Sequence, residues 1–298
     1  MSILNDIKTE YRMGGIVQRI IFWNIGLFVL PLVLFGILAL SGTSLPAFDW
    51  RIGGGQDWFS LSSNPEYLIW KPWSLFTYAF LHAGVGHIFF NMLMLFFAGR
   101  LFLTFFTQKQ FFGLYMLSAI FAGLLYILSY NVLPVFAGRN SYMVGASASI
   151  MAILFGAAAY APMYQVRLLL IGTVKLWHIA ALYLALDLIY ISAENSGGHI
   201  AHLGGALSGY LYIILLKSGT DLSKGVSAII DFFVNLFKPK KATPFKKVHK
   251  NPQPQQRPAT KTKDLTQKQI DDILDKISKS GYESLTKDEK DFLFKVGK

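Results

Sequence analysis

The sequence predicts an all-α polytopic membrane protein with a bundle of six transmembrane helices, and three observations carry that prediction. First, of 298 residues, 53% are hydrophobic and only 15% are charged, where a soluble domain carries about 25% charged residues. So few charges cannot cover the surface of a soluble protein of this size. Second, six apolar runs recur along the first 217 residues. Third, mean hydropathy is +0.42, and the 25 Phe, 14 Tyr and 6 Trp are residues that suit lipid and its interfaces. Cysteine is absent, which removes disulfides, thiolate metal sites and cysteine nucleophiles.

About 20 apolar residues in helical form cross about 30 Å of hydrocarbon. Residues 20–40 make the first such run, interrupted by Asn24 and Pro31. It is too long for a signal-peptide core, and no small-residue cleavage site follows it. The others are residues 88–106, 111–128, 144–160, 177–191 (extended backward through 168–174) and 200–216. Several are short or carry polar groups, so neighbouring helices are expected to shield them. Lys8, Arg12, Arg19, Arg100, Lys109, Arg167 and Lys175 fall in one set of loops. Arg51, Lys71 and Arg139 fall in the other, offset by Asp49, Asp57, Glu66 and Glu194. The positive-inside rule then puts both termini in the cytoplasm.

This organisation divides the chain into a cytoplasmic segment (1–19), a six-helix body (20–217), an amphipathic segment with a basic linker (218–264) and a small helical hairpin (265–298). Trp50, Trp58, Tyr67, Trp70 and Trp73 crowd the first outer loop, as expected of a segment lying partly in the bilayer interface. From Lys217 onward there are 18 Lys and Arg against 10 Asp and Glu, a net +8 of the total +11. Beside a membrane body such a tail is expected to meet anionic lipid rather than nucleic acid, for which no recognition module is present. In the terminal hairpin, Ile270, Ile273, Leu274 and Ile277 have helical spacing, Gly281 is a C-cap, and Thr286 with Glu289 forms a capping box.

Ionisable and polar groups inside spans are costly, and the body has few. His87 and Asn91 sit four apart at the start of the second span, so they share a helix face. Ser147 opens the fourth span, and His202 lies in the first turns of the sixth. By the topology above, all three clusters lie at the outer ends of their helices and can meet at one depth. A serine needs a base to become a nucleophile, and histidine can be that base. The oxyanion formed by attack on an amide needs donors. Asn91, His87 and the Ser147 backbone N–H can supply them. Gly205 and Gly209 form a Gly-x-x-x-Gly face, and Gly145 with Ser149 offers a similar small face. Close contact of the fourth and sixth spans would bring His202 to Ser147 without a third, acidic member.

The set His82-x4-His87-x3-Asn91, Gly145-Ala-Ser147 and Ala201-His-x-x-Gly205-x-x-x-Gly209 resembles the rhomboid family of intramembrane serine proteases over residues 15–217. The resemblance implies a Ser147–His202 dyad and an oxyanion hole using His87, Asn91 and the Ser147 backbone. It implies that His82 holds the second helix and its loop, and that Phe90 stands beside the substrate gate. It also implies transmembrane proteins as substrates and a bacterial inner (plasma) membrane location with the site opening outward. The alternative it allows is a catalytically weak membrane-protein chaperone or escort. Four positions depart from the family pattern: Ala148 follows the serine, Ser74 replaces the arginine after Trp73, Leu103 replaces an acidic residue, and Met151 replaces an aromatic.

Blander readings compete. Ser147 taken alone reads as a packing residue in a Gly/Ala/Ser interface. Ser149 points about 200° away from Ser147 around a helix, so the two cannot both face His202. His199 and His202 are three apart, but no His-Glu-x-x-His is present and no carboxylate adjoins them in sequence. No metal or cofactor is therefore expected. His199 reads as a loop or helix-start residue, Asp187 as a structural hydrogen-bonder or else as lining a wet cavity, and His178 and His249 as inner-side residues outside the chemistry. A transporter would spread polar groups through the whole depth, whereas these cluster in the outer third.

Overall fold

The computed structural model describes residues 3–42, 58–169, 171–192, 195–237 and 261–296. The chain forms two units, Met1–Lys238 and Pro239–Lys298. The first opens with a short amphipathic helix α1 (Ile3–Met13) and the long apolar α2 (Ile16–Leu40). After residues 43–57, strand β1 (Leu61–Ser62), the short helices α3 (Glu66–Trp70) and α4 (Ser74–Thr77) and a 3-10 turn follow. The rest of the body is α5 (Val85–Phe102), α6 (Gln108–Val132), β2 (Tyr142–Met143), α7 (Ser147–Tyr160), β3 (Gln165–Leu168), β4 (Gly172–Lys175), α8 (Leu176–Tyr190) and α9 (Ser196–Lys217). Helix α10 (Ser223–Phe237) ends this unit.

Helices α2, α5, α6 and α9 are each long and apolar enough to cross a membrane, while α7 and α8 are shorter apolar helices. These six make the polytopic bundle. At about 1.5 Å per residue, the 14 residues of α7 cover about 21 Å, well short of a 30 Å core. A helix of that length needs neighbours around it, and α7 has them: α5, α6, α8 and α9 all pack on it. Its residues from Ala148 to Ala158 are nearly all buried. The outer helices differ, and α2 exposes Leu30, Val33, Leu34 and Ile37, as a lipid-facing helix should.

Two small residues set the closest approach. A methyl group built on Gly205 would run into the Ala148 carbonyl oxygen, and one on Gly209 into that of Ala152. The backbones of α9 and α7 therefore touch, with no room for side chains between them. Helix α6 starts on a full capping box of Thr107 and Gln110. It buries Tyr115 and Ser118 at its centre. The Tyr115 hydroxyl donates to the Ala79 carbonyl at 2.8 Å, and the Tyr78 hydroxyl donates to the Ala119 carbonyl at 2.8 Å. These bonds tie the first loop to the bundle.

The backward extension of the fifth span through residues 168–174 is incorrect. That stretch is an antiparallel hairpin in which Gln165 pairs with Lys175 and Leu168 with Gly172. The run misleads because leucines at residues 168–170 read alike as helix or strand; the β-branched Ile171, Thr173 and Val174 favour strand, and Gly172, with φ +88°, suits a turn and not a helix. Leu169 and Ile171 stand exposed at its tip. The fourth span likewise begins at Ser147 rather than at residue 144, because Gly145 has φ +132°.

In the described part of the first loop, the Trp58 and Trp73 rings stack at 6.2 Å. The Trp73 indole donates to the Trp58 carbonyl at 2.7 Å. Lys71 lies 5.4 Å over both Trp58 and Tyr67. Trp50, most of the basic linker and His249 lie outside the described residues. Beyond the body, α10 presents Ile229, Phe232, Phe233 and Leu236 to its surroundings.

The second unit is a helical hairpin of α11 (Lys261–Ser280) and α12 (Lys287–Val296). Gly281 turns it with φ +78°. Lys276 Nζ meets Glu289 across the hairpin at 2.9 Å, and the Thr286 backbone N–H donates to Glu289 at 2.8 Å.

Candidate active site

Ser147 is the first residue of α7. Its backbone N–H is thus among those that have no carbonyl partner within the helix, and the helix end favours negative charge there. Gly145, two residues earlier, donates its N–H to the Tyr78 carbonyl at 2.9 Å. A Cβ on Gly145 would lie 2.9 Å from His87 Nε2. Glycine is needed here twice over, for its left-handed φ and for the imidazole packed against it.

The Ser147 Oγ lies 2.7 Å from His202 Nε2. The other ring nitrogen of His202, Nδ1, lies 2.8 Å from Asp187 Oδ1. His199 Nδ1 lies 2.7 Å from that same oxygen. Asp187 is buried, 5% exposed. An ionised carboxylate can only accept hydrogen bonds, so both Nδ1 atoms carry protons. In the neutral ring His202 Nε2 is then bare, with its lone pair toward the serine hydroxyl, the disposition that general-base chemistry requires.

On the other side of the serine, His87 is in the opposite state. Its Nδ1 accepts from the Ala83 backbone N–H at 3.3 Å. In the neutral ring the proton is therefore on Nε2, which faces the Gly145–Ser147 turn. Asn91, one turn along α5, donates one amide hydrogen to the His87 carbonyl at 2.9 Å, leaving the second hydrogen available. His87, Asn91, Gly145, Ser147, Ala148 and His202 line a cavity of about 480 Å³. Ala148, in place of the expected glycine, fits at its wall.

A second cavity of about 330 Å³ lies between α5 and α8. Phe90, Met94, Met151, Tyr183, Leu186 and Tyr190 line it, and it reaches Asn91, Ser147 and His202. Phe90 is 65% exposed and stands at its mouth. The Tyr183 hydroxyl lies 3.0 Å from Met94 Sδ, a light bridge between the two helices.

The remaining residues singled out in the sequence fall around this centre. His82 is fully buried, its ring edge-on to His87 at 5.1 Å. Gly205 and Gly209 lie on the α9 face against α7. Ser149 points away, donating to the Tyr115 carbonyl at 2.8 Å. His178 packs on Trp177, away from the serine. No carboxylate adjoins the histidines in sequence, because Asp187 is 12 and 15 residues away from them; the packing of α8 on α9 brings it back. His199, read as a helix-start residue, is indeed in the first turn of α9, but its ring belongs to the cluster. Among the described residues, Asp187, His199 and His202 are the one group of three whose ligand atoms, within 4.8 Å of one another, could hold a metal ion.

A polytopic helical bundle with a serine, a histidine and backbone donors lining one cavity defines a class: membrane proteins with serine-hydrolase-like geometry. Residues 70–219, half of the chain, match the Rhomboid domain family, and the chain belongs to the rhomboid family. It is similar to RHOMBOID-like protein 1 of Arabidopsis thaliana, 33% identical over an alignment of 159 residues that covers 49% of this chain and 36% of that protein. The chain thus spans about a third of that relative's length. Residues 260–295 match a family of unknown function, DUF6576.

Proposed function

We propose that this protein is an intramembrane serine endopeptidase that cleaves peptide bonds in transmembrane or juxtamembrane segments of other membrane proteins. The observation that carries the reading is the 2.7 Å contact between Ser147 Oγ and His202 Nε2, in a cavity whose opposite wall holds His87 and Asn91.

The Ser147 oxygen attacks the scissile carbonyl carbon as its proton passes to His202 Nε2. The carbonyl oxygen takes up the electron pair and is held by His87 Nε2–H, the free Asn91 amide hydrogen and the Ser147 backbone N–H. Collapse of this intermediate breaks the C–N bond, and His202 gives its proton to the departing amine. Water, deprotonated by His202, then releases the acyl group and restores the serine. The scissile segment must leave helical form, because helical carbonyls are hydrogen-bonded and shielded. Segments with Gly, Ala, Ser or Pro near the membrane face meet that need. The cavity between α5 and α8 offers an apolar entrance for such a segment, with Phe90 beside it. In this reading the polar cavity opens to the outer side, both termini are cytoplasmic, and the basic tail with α10 rests on anionic lipid.

The test is purified protein with a single-span membrane substrate. Ser147→Ala and His202→Ala should each abolish cleavage. Cleavage at the wild-type rate by either would end this proposal, and absence of cleavage by the wild type would favour a non-catalytic escort. Comparative membrane proteomics of wild type against Ser147→Ala would then name the substrates, as ectodomains that cease to be shed.

A further inference from the structure

We propose that Asp187 and His199 form a positioning pair that holds His202 as the base for Ser147, so that the two-residue centre works with a third, acidic member that is itself clamped by a second imidazole. The proposal rests on the reading of Ser147 and His202 as the acting pair.

Helix α8 is apolar from Leu176 to Tyr190 except for His178 and Asp187. A lone carboxylate at such a depth costs about 3 kcal/mol on insertion scales and persists where it is paired. Asp187 is paired twice, with both imidazoles meeting the single atom Oδ1. The arrangement follows from helical spacing. His199 and His202 are three apart on the first turns of α9, and Asp187 and Tyr190 are three apart on α8, so each pair shares a face. Tyr190 stacks on the His199 ring with centroids 6.3 Å apart and planes 21° apart. His199 in turn meets His202 edge-on at 5.9 Å. The carboxylate is held between two rings, one of which is itself held by a tyrosine.

A mere tie between α8 and α9 could use any donor on α9. This tie goes to the one ring atom whose proton decides which nitrogen of His202 is bare. With Asp187 ionised, the Nδ1 proton cannot leave, and Nε2 is the acceptor at 2.7 Å from the serine. As the Ser147 proton moves to Nε2, His202 becomes a cation, and the adjacent carboxylate stabilises it. Asp187 keeps its charge throughout and takes no proton. His199 donates from its own Nδ1 and so fixes the rotamer of the carboxylate. No Lys or Arg is among the described residues lining either cavity, so these two imidazoles are the carboxylate's partners there.

The experiment uses the full chain in proteoliposomes, with a fluorogenic single-span peptide as substrate. Rates are scaled to the sites labelled by a fluorophosphonate, and Tm is recorded in parallel. Asp187→Asn keeps the shape and loses the charge; its kcat should fall about 10³-fold with KM within about threefold of wild type. Asp187→Ala should fall as far and regain at least about tenfold in added formate, whose carboxylate can enter the vacated space, but nothing in chloride at equal ionic strength. His199→Phe keeps the ring stacked on Tyr190 and loses the donor; its kcat should fall about tenfold, without formate rescue.

A structural role predicts a different pattern: lower Tm and fewer labelled sites, with kcat per site unchanged in Asp187→Asn and no response to formate. That result overturns the proposal. If Asp187→Ala does not fold, Asp187→Asn and His199→Phe decide through kcat per site. Loss of wild-type activity in a chelator with recovery in zinc also overturns it, by making the cluster a metal centre. Full activity of Ser147→Ala is a separate outcome that removes the underlying proposed function and this inference with it.

Discussion

His202 and His87 approach Ser147 from opposite sides, and the comparison between them shows how one residue type can be set in two states for the two ends of the proposed reaction. His202 has a carboxylate behind it, which fixes its proton on Nδ1 and leaves Nε2 bare toward the serine. His87 has the Ala83 backbone N–H behind it, which occupies Nδ1 as an acceptor and leaves the Nε2 proton facing the site. One ring is prepared to take a proton, and the other to give a hydrogen bond. The difference lies in the second partner of each ring, not in its distance from the serine.

Four outcomes would break or sharpen this comparison. The largest contrast is between His202→Ala and His87→Ala. The first should lower kcat by about 10⁴-fold or more, since removing one member of an acting pair disables the other. The second should cost about 10²-fold, the usual value of one oxyanion donor. Equal losses would mean that the two rings do the same work. Asn91→Ala should resemble His87→Ala, with a kcat about 10²-fold lower and an unchanged Tm; a wild-type rate would remove it from the donor wall.

Gly145→Ala probes the donor side alone. The new methyl would meet His87 Nε2, and φ at this position is +132°. It should destabilise the protein by about 1–3 kcal/mol and lower kcat about tenfold, while the fluorophosphonate still labels Ser147. Loss of labelling would show that the two sides are not separable.

The smallest effect is a control far from the serine. Asp221, between α9 and α10, accepts from the Tyr212 hydroxyl at 3.0 Å and from Ser223. Partial burial pushes its carboxyl up, but the bonds from Ser223, Tyr212 and Gln110 outweigh that and hold it below the usual carboxylate range. A carboxyl lowered on folding adds stability above its unfolded pKa of about 4, and that stability is lost as pH falls through the folded value. Protection of the α10 amides, measured as exchange relative to the intrinsic rate at each pH, should therefore fall as the medium is acidified below about pH 4. Asp221→Asn should show the lower protection already at neutral pH, with kcat unchanged.

Much of the bundle was legible because its signal is local. Six apolar runs, two closely spaced glycines and a serine at a helix start are visible in any window of the sequence. The hairpin at residues 165–175 was not, since a short apolar run reads alike as helix or strand until Gly172 and the β-branched residues are given their weight. At the site, His87 and Asn91 share a face by spacing alone, and Ser147 and His202 were linked by the small residues between their helices. Asp187 reads from sequence as a structural hydrogen-bonder or a cavity-lining residue, but its partners are not legible there, because they lie 12 and 15 residues further along the chain. Its available signal was an acid in an otherwise apolar helix, followed by two histidines three apart just after the connection. The proton positions were invisible in sequence, because they depend on the Ala83 N–H and the Asp187 oxygen, which only the fold brings to the rings.

The central claim is that Ser147 sits between an accepting and a donating imidazole. Nitrogen NMR of the full chain with isotope-labelled histidine, assigned through His87→Ala and His202→Ala, reads the proton positions directly at neutral pH. The expected result is a bare Nε2 on His202 and a bare Nδ1 on His87. The same tautomer on both rings, or a proton on Nε2 of His202, would contradict it.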